Sequence, residues 1–478
     1  MLVRPKPVSV LGFLVLAASS SAALRGGDAP FPLQRGELVA TFCPNGPDDD
    51  GFSVILVDPR SPPAGAAGSN WLAPFFSNAS GPAADIWNYG NLGSVFGIAV
   101  DSTPDIYVSA TSSYRDFSVF NTHTYGPGGG GAVYRLDGVT GAINTWVTLP
   151  NPAAPGVTPA GLGDICYDSV FDQFFVSDFA DGRIYQVKKG SGSSAGTGVV
   201  VDVRDPFDAY PYPGNPTFAP VGERVWAVHV TNLYTPFRTN SSPSGKVRAL
   251  LFSVWLRDNY HFSTDWPASW PPHFPFNPVG NAIFEWDLDS AGKLVSSGPT
   301  LWAVMPNLVD EDGNDWGYSQ PVSDITSVGD FVVVAERSME SDYGSPGIAH
   351  EARVLVFSKK SKMVVLSSWP PTAPPPPPFT YMYRIGDYHS PRGWNSCGGV
   401  AVPTLLHLPN SRLWGTGDAL LTLSSCNYVY GLQGIPLSGN QTLSPMSSTS
   451  LLIDLDHEIC EGDKSRPGDV EYVTVNAE

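Results

Sequence analysis

Apolar and polar positions alternate along this chain in short runs, divided by Gly, Pro, Asp and Asn. "DIYVSA", "QFFVSD", "RVWAVHV", "DFVVVAE" and "RVLVFS" are examples. β-Branched and aromatic side chains suit a pleated, half-buried surface, and the Gly/Asp punctuation turns the chain between strands. Helical periodicity is scarce. With 49 Gly and 46 Pro in 478 residues, long helices have little room. The pattern predicts an all-β chain.

The strands also recur in a fixed order. "FGIAVDSTPDIYVSA" at Phe96–Ala110 is completed, after an insertion, by "GAVYRLDGVTGAI" at Gly131–Ile143. "LGDICYDSVFDQFFVSDFADGRIYQV" repeats that grammar compactly, and Pro321–Met339 repeats it again. Cys397–Leu420 is a weaker copy, and "PTFAPVGERVWAVHV" with the later "NAIFEWDLDSAGKLV" makes a broken one. One such meander cannot bury both faces alone, so copies must stack. Radial stacking gives a β-propeller of four-stranded blades. Six blades are favoured and seven are possible, with "ELVATF" and "FSVILVD" completing one blade together with "SLLIDLD" near the C-terminus. The domain reading is a propeller over residues 24–478, with an insertion near 234–280 and a proline-rich spacer at 369–379. Consecutive prolines make that spacer polyproline II.

The unit at Gly163–Val187, and the one at Gly97–Ile143, resemble blades of the NHL and gluconolactonase-like propellers, where a "GIAVD…lYVaD…rIyrvd" pattern recurs. The resemblance implies a six-bladed propeller. For gluconolactonase-like members it also implies a lactonase or esterase that holds one channel metal with carboxylates and asparagines from several blades. Only Asp164 and Asp324 match plausible channel positions.

Residues 1–23 read as a secretory signal peptide: Arg4 and Lys6, an apolar run from Val8 to Ala18, then small residues. No stretch is long and apolar enough to span a bilayer. A formal charge of −18 disfavours nucleic acid and anionic lipid. Cys43, Cys166, Cys397, Cys426 and Cys460 are an odd set for an oxidising compartment. The expected pairs are Cys397 with Cys426 and Cys43 with Cys460, leaving Cys166 as a buried thiol. Asn78, Asn240 and Asn440 lie in glycosylation sequons.

Candidate chemistry is sparse. Of the five aspartates between Gly161 and Val187, four have turn-making roles, and Asp164 stands at the start of an innermost strand. With Asp324 of "PVSDIT" it offers a channel cation two carboxylates; the alternative is that both cap the loops leading into their blades. Asp310, Asp312 and Asp315 surround Gly313 and offer Ca²⁺ a second, acidic turn. His229, His350, His389 and His457 lack zinc spacing and read as loop or core residues. The α/β-hydrolase nucleophile elbow is read as absent. Trp266, Trp270, Phe274 and Phe276 could present flat rings to a glycan or protein, or form a lid. The expectation is a secreted, non-catalytic propeller glycoprotein that contacts extracellular protein or glycan through its loops. The alternative is a Ca²⁺-dependent lactonase or esterase.

Overall fold

A computed structural model describes residues 33–43, 51–79, 81–111, 113–114, 125–150, 161–207, 222–234, 246–256, 280–309, 314–339, 350–362, 382–383, 385–386, 394–403, 411–424, 427–437, 449–455 and 466–473. Within them lie six antiparallel four-stranded sheets. Five keep chain order from the axis outward: Val95–Val100 to Ile143–Thr148 (blade 2), Leu162–Asp168 to Gly198–Arg204 (blade 3), Arg224–Tyr234 to Thr300–Val304 (blade 4), Val322–Val328 to Met382–Tyr383 (blade 5) and Ser396–Ala401 to Leu451–Asp454 (blade 6). A short hairpin, Thr422–Ser424 with Asn427–Tyr428, is inserted within blade 6. The inner strands pack against one another in a closed ring, which makes the fold a six-bladed β-propeller.

Blade 1 is assembled from both ends of the chain. Leu38–Phe42, Val54–Val57 and Phe75–Phe76 supply three strands, and Pro467–Tyr472 supplies the innermost, paired with Leu38 opposite Tyr472. The "SLLIDLD" segment therefore does not close the ring; Leu451–Asp454 is the outer strand of blade 6. The reason lies in what each strand faces. Leu451 and Ile453 pack into the layer between blades 6 and 1, whereas the closing strand lines a polar axis and carries Asp469 and Glu471. Apolar content marked the wrong strand.

Apolar layers fill the gaps between blades. Between blades 2 and 3, Tyr107, Trp146 and Phe174 interlock with ring centres 4.4–4.9 Å apart, over Ile165, Val176 and Val187. Burying one such side chain contributes about 1.5–3 kcal/mol, and edge-on ring contacts add to that.

A ring of hydroxyls stitches the blades near the axis. Thr41 accepts the Asp469 N–H (2.8 Å) and donates to Phe96 O of the next blade (2.9 Å). Ser109 likewise links Gly97 N–H to Gly163 O, Ser177 links Asp164 N–H to Trp226 O, and Ser253 links Ala227 N–H to Val322 O. Thr416 links Gly399 N–H to Gly468 O. Blade 5 has Ala335 opposite Asp324, and there Ser323 of the inner strand donates to Gly398 O instead (2.8 Å). Thr41, Ser109, Ser177, Ser253 and Thr416 each satisfy a buried amide and a buried carbonyl that strand pairing leaves open, and Ser323 satisfies a carbonyl.

The expected disulfides are not formed. Cys43 and Cys397 are free thiols, as is Cys166; Cys426 and Cys460 lie outside the described residues. Cys43 Sγ sits 3.8 Å from Ser94 Oγ, and Cys397 is buried in the inner strand of blade 6 beside Asp418. Blade packing holds Cys43 beside the aromatic cluster at one end of the axis and Cys397 within an inner strand.

Candidate functional site

Three inner strands carry the same small–Asp–β-branched triplet: Gly163-Asp164-Ile165, Ser323-Asp324-Ile325 and Gly468-Asp469-Val470. They belong to blades 3, 5 and 1. The alternate blades put Gly97, Ala227 and Gly399 at the matching place. Asp164 accepts the N–H of Ile165 (2.7 Å) and of Val228 in the next blade (3.0 Å). Asp469 does the same with Val470 (2.7 Å) and Ile98 (2.9 Å), and Asp324 accepts from Val400 (2.6 Å). The small alternate residues follow from this geometry. A Cβ on Gly97 would lie 2.6 Å from the Asp164 Cα, and one on Gly399 would lie 2.6 Å from the Asp469 Cα. Asp164 and Asp324 lie near each other on one axis, in company with Asp469 and Glu471, which the sequence reading missed. The recurring triplet was the available signal; the closing strand was overlooked because it is short and polar.

Four acids share this buried axis. Burial first, then the Asp324 charge, holds the Asp164 carboxyl well above the ordinary range. Asp469 is held there by burial and by both Asp324 and Asp164. Burial pushes Asp324 up to about 7, and burial with the Asp324 charge pushes Glu471 up to about 8. The contact between the Asp469 and Asp324 carboxyls raises Asp469 further and offsets part of the rise at Asp324. Backbone N–H donors recover part of the desolvation cost.

Beside the acids, a cavity of about 550 Å³ opens toward the C-terminal ends of the inner strands. Asp164, Asp324 and Glu471 line it together with His229, Thr326 and Ser327. His229 Nε2 is 2.9 Å from Ser327 Oγ, which is 2.8 Å from Thr231 Oγ1, which accepts from Lys359 Nζ at 2.8 Å. Burial, then the nearby Lys359 and Arg248 charges, pushes the His229 imidazole down to about 3. The sequence reading placed His229 among unremarkable histidines; its serine partner comes from another blade, 98 residues away. At the opposite ends of the same strands an aromatic cluster packs, with Arg337 stacked 4.8 Å from the Tyr114 ring centre and Arg224 5.3 Å from that of Phe179.

Other candidates fall elsewhere. Asp168 forms an ion pair with Arg248 and accepts from Gln173, Asp172 accepts from Tyr167, and Asp178 and Asp181 accept turn N–H groups. Asp315 is exposed and accepts the Gly317 N–H (2.7 Å), while Asp310 and Asp312 lie outside the described residues. Among the described residues, no group of three or more His, Cys, Asp or Glu is arranged to hold a metal ion. Asn78 is buried, and its Nδ2, the atom a glycan would occupy, donates to Asp85 O and Gly141 O. Asn240, Asn440, the aromatic insertion at Trp266–Phe276, the proline-rich spacer and the expected signal peptide at 1–23 lie outside the described residues. A stretch with nucleophile-elbow spacing, "GSSAG" at 192–196, is a surface turn of blade 3 and not a strand–turn–helix. No helix among the described residues is long and apolar enough to cross a membrane.

No protein-family model and no curated protein matches the chain. Among solved structures, a chain of the nidogen/laminin complex is similar at 9% identity, with 92% of this chain and 100% of that chain covered and a TM-score of 0.40. A putative 6-phosphogluconolactonase from Bacteroides uniformis is similar at 10% identity, with 92% and 100% covered and a TM-score of 0.36. A gluconolactonase from Xanthomonas campestris is similar at 8% identity, with 92% and 89% covered and a TM-score of 0.33. At these values the likeness concerns the propeller fold alone and carries no argument about activity.

Proposed function

We propose that this protein hydrolyses small esters or lactones in the axial cavity. The observation that carries the reading is the convergence, on one cavity of about 550 Å³, of perturbed acids with a hydroxyl–imidazole pair. Pockets of this size suit small molecules, and strongly shifted titratable groups gather where chemistry is done.

Calcium is the cofactor the sequence reading attaches to Asp164 and Asp324. Their oxygens are the hard donors it prefers, and a cation would relieve the repulsion among four acids. Against this, both oxygens of Asp164 and of Asp469 already serve backbone N–H groups. No step of the proposed hydrolysis is therefore routed through a metal. Turnover of aryl esters and lactones should survive dialysis against a chelator and fall at least about 100-fold in Asp324→Asn. Hydrolysis unchanged in that variant would remove the reaction from the cavity.

A second reading, the extracellular interaction glycoprotein, is favoured by one feature. The outer strand of blade 3, Gly198–Arg204, exposes Val199, Val200, Val201 and Val203 along an edge that, among the described residues, pairs with no further strand. Exposed apolar edge strands are templates for strand addition by a partner.

A further inference from the structure

We infer that Ser327 is a nucleophile that becomes acylated, with His229 as its general base; the inference rests on the hydrolase reading and adds a covalent intermediate to it. The direction of every proton in the cluster follows from elementary bookkeeping. A lysine ammonium only donates, so Thr231 Oγ1 accepts from Lys359 Nζ (2.8 Å). The remaining partner of the Thr231 hydroxyl is Ser327 Oγ, so its proton goes there (2.8 Å). Ser327 Oγ then accepts from Thr231 and turns its own proton to His229 Nε2 (2.9 Å). The imidazole must present Nε2 as an acceptor, in the tautomer with its proton on Nδ1. That is the arrangement in which a hydroxyl is activated by a neighbouring base.

The strands enforce the geometry. His229 and Thr231 are two residues apart on the inner strand of blade 4, so their side chains leave it on the same side. Ser327 stands on the inner strand of blade 5 and Lys359 follows the third strand of that blade. Lys359 is buried, and its charge favours the developing Ser327 alkoxide. Burial first, then the Lys359 and Arg248 charges, keeps His229 neutral and able to accept. They make imidazolium costly as well, so acylation of Ser327 and its reversal are slow.

In the reaction, Ser327 Oγ bonds to the acyl carbon while its proton passes to His229 Nε2, and the carbonyl becomes an oxyanion. Collapse breaks the bond to the leaving oxygen, which takes the proton from His229; with a lactone this alcohol stays tethered to the acyl group. Water then adds to the acyl carbon as His229 Nε2 takes its proton; collapse breaks the bond from the acyl carbon to Ser327 Oγ, which takes the proton back from His229, and the acid leaves.

The test is to treat the wild-type protein with diisopropyl fluorophosphate and map the adduct by peptide mass spectrometry, alongside p-nitrophenyl acetate and δ-valerolactone hydrolysis. The expected result is one adduct on Ser327, formed at least about 100-fold more slowly in His229→Ala and several-fold more slowly in Thr231→Val. Because the adduct is mapped on the wild type, the result does not depend on how Ser327→Ala folds. No adduct on Ser327, or equal labelling of His229→Ala, overturns the inference. If hydrolysis then persists in Ser327→Ala and falls in Asp324→Asn, the cavity reading stands without the covalent step. An adduct on Ser327 without turnover of either substrate supports the nucleophile and counts against those substrates.

Discussion

Thr416 illustrates how much a single hydroxyl carries near the axis. It closes the contact between blade 6 and the closing strand through Gly399 N–H and Gly468 O, both buried. Thr416→Val keeps the shape and leaves two backbone groups without partners, so it should cost about 1–3 kcal/mol. Thr416→Ser keeps the hydroxyl and should cost under about 1 kcal/mol. Denaturant midpoints at constant slope would separate the two variants; equal midpoints would show that the hydroxyl ring is not stabilising. At this scale the sequence was partly legible. The aspartates of Gly161–Val187 could be read as turn-makers, because an Asx turn is local. Ser327 could not be read as the partner of His229, since nothing within either strand announces the other.

Strands were legible wherever one face meets an apolar layer, as in Gln173–Asp178 and Phe331–Glu336. The closing strand Pro467–Tyr472 was not, because it opens with proline and glycine and carries Asp469 and Glu471. The outer strand Gly198–Arg204 is the opposite case, apolar and exposed. Val201→Lys on that edge should leave stability within about 0.5 kcal/mol, as surface changes do. Any partner or self-association that uses the edge should be lost, since charge on an edge strand blocks pairing. Sedimentation of wild type and variant, with candidate partners, reads the difference; unchanged association would move the contact off blade 3.

For the whole molecule, the axial acids set an unusual pH response. Asp324 at about 7 and Glu471 at about 8 bind protons more tightly folded than unfolded. Their contribution to stability is complete below the ordinary carboxyl range and is lost as pH rises through 7 and 8. Asp137 and Asp289, whose carboxyls are held low, act in the opposite sense and lose their contribution in strong acid. Stability should peak near pH 4, in the ordinary carboxyl range, and decline toward pH 8.5. Calorimetry across that range checks it, and a plateau from pH 5 to 8.5 would mean that the acids are not buried together. Calcium added at pH 8.5 should raise Tm if a cation enters the cluster, and leave it unchanged if protons alone relieve the repulsion.

The strand that lines the axis with Asp469 and Glu471 pairs with residues far away in sequence: Asp469 N–H reaches Thr41 across 428 positions. During synthesis, Leu38–Phe42 therefore leaves the ribosome long before the strand it pairs with is made. Closing so long a loop is entropically slow. Here the final docking step also drives two acids against Asp164 and Asp324. Electrostatic repulsion is thus concentrated in the kinetics of ring closure, and refolding should accelerate as the medium is acidified from pH 8 to pH 6.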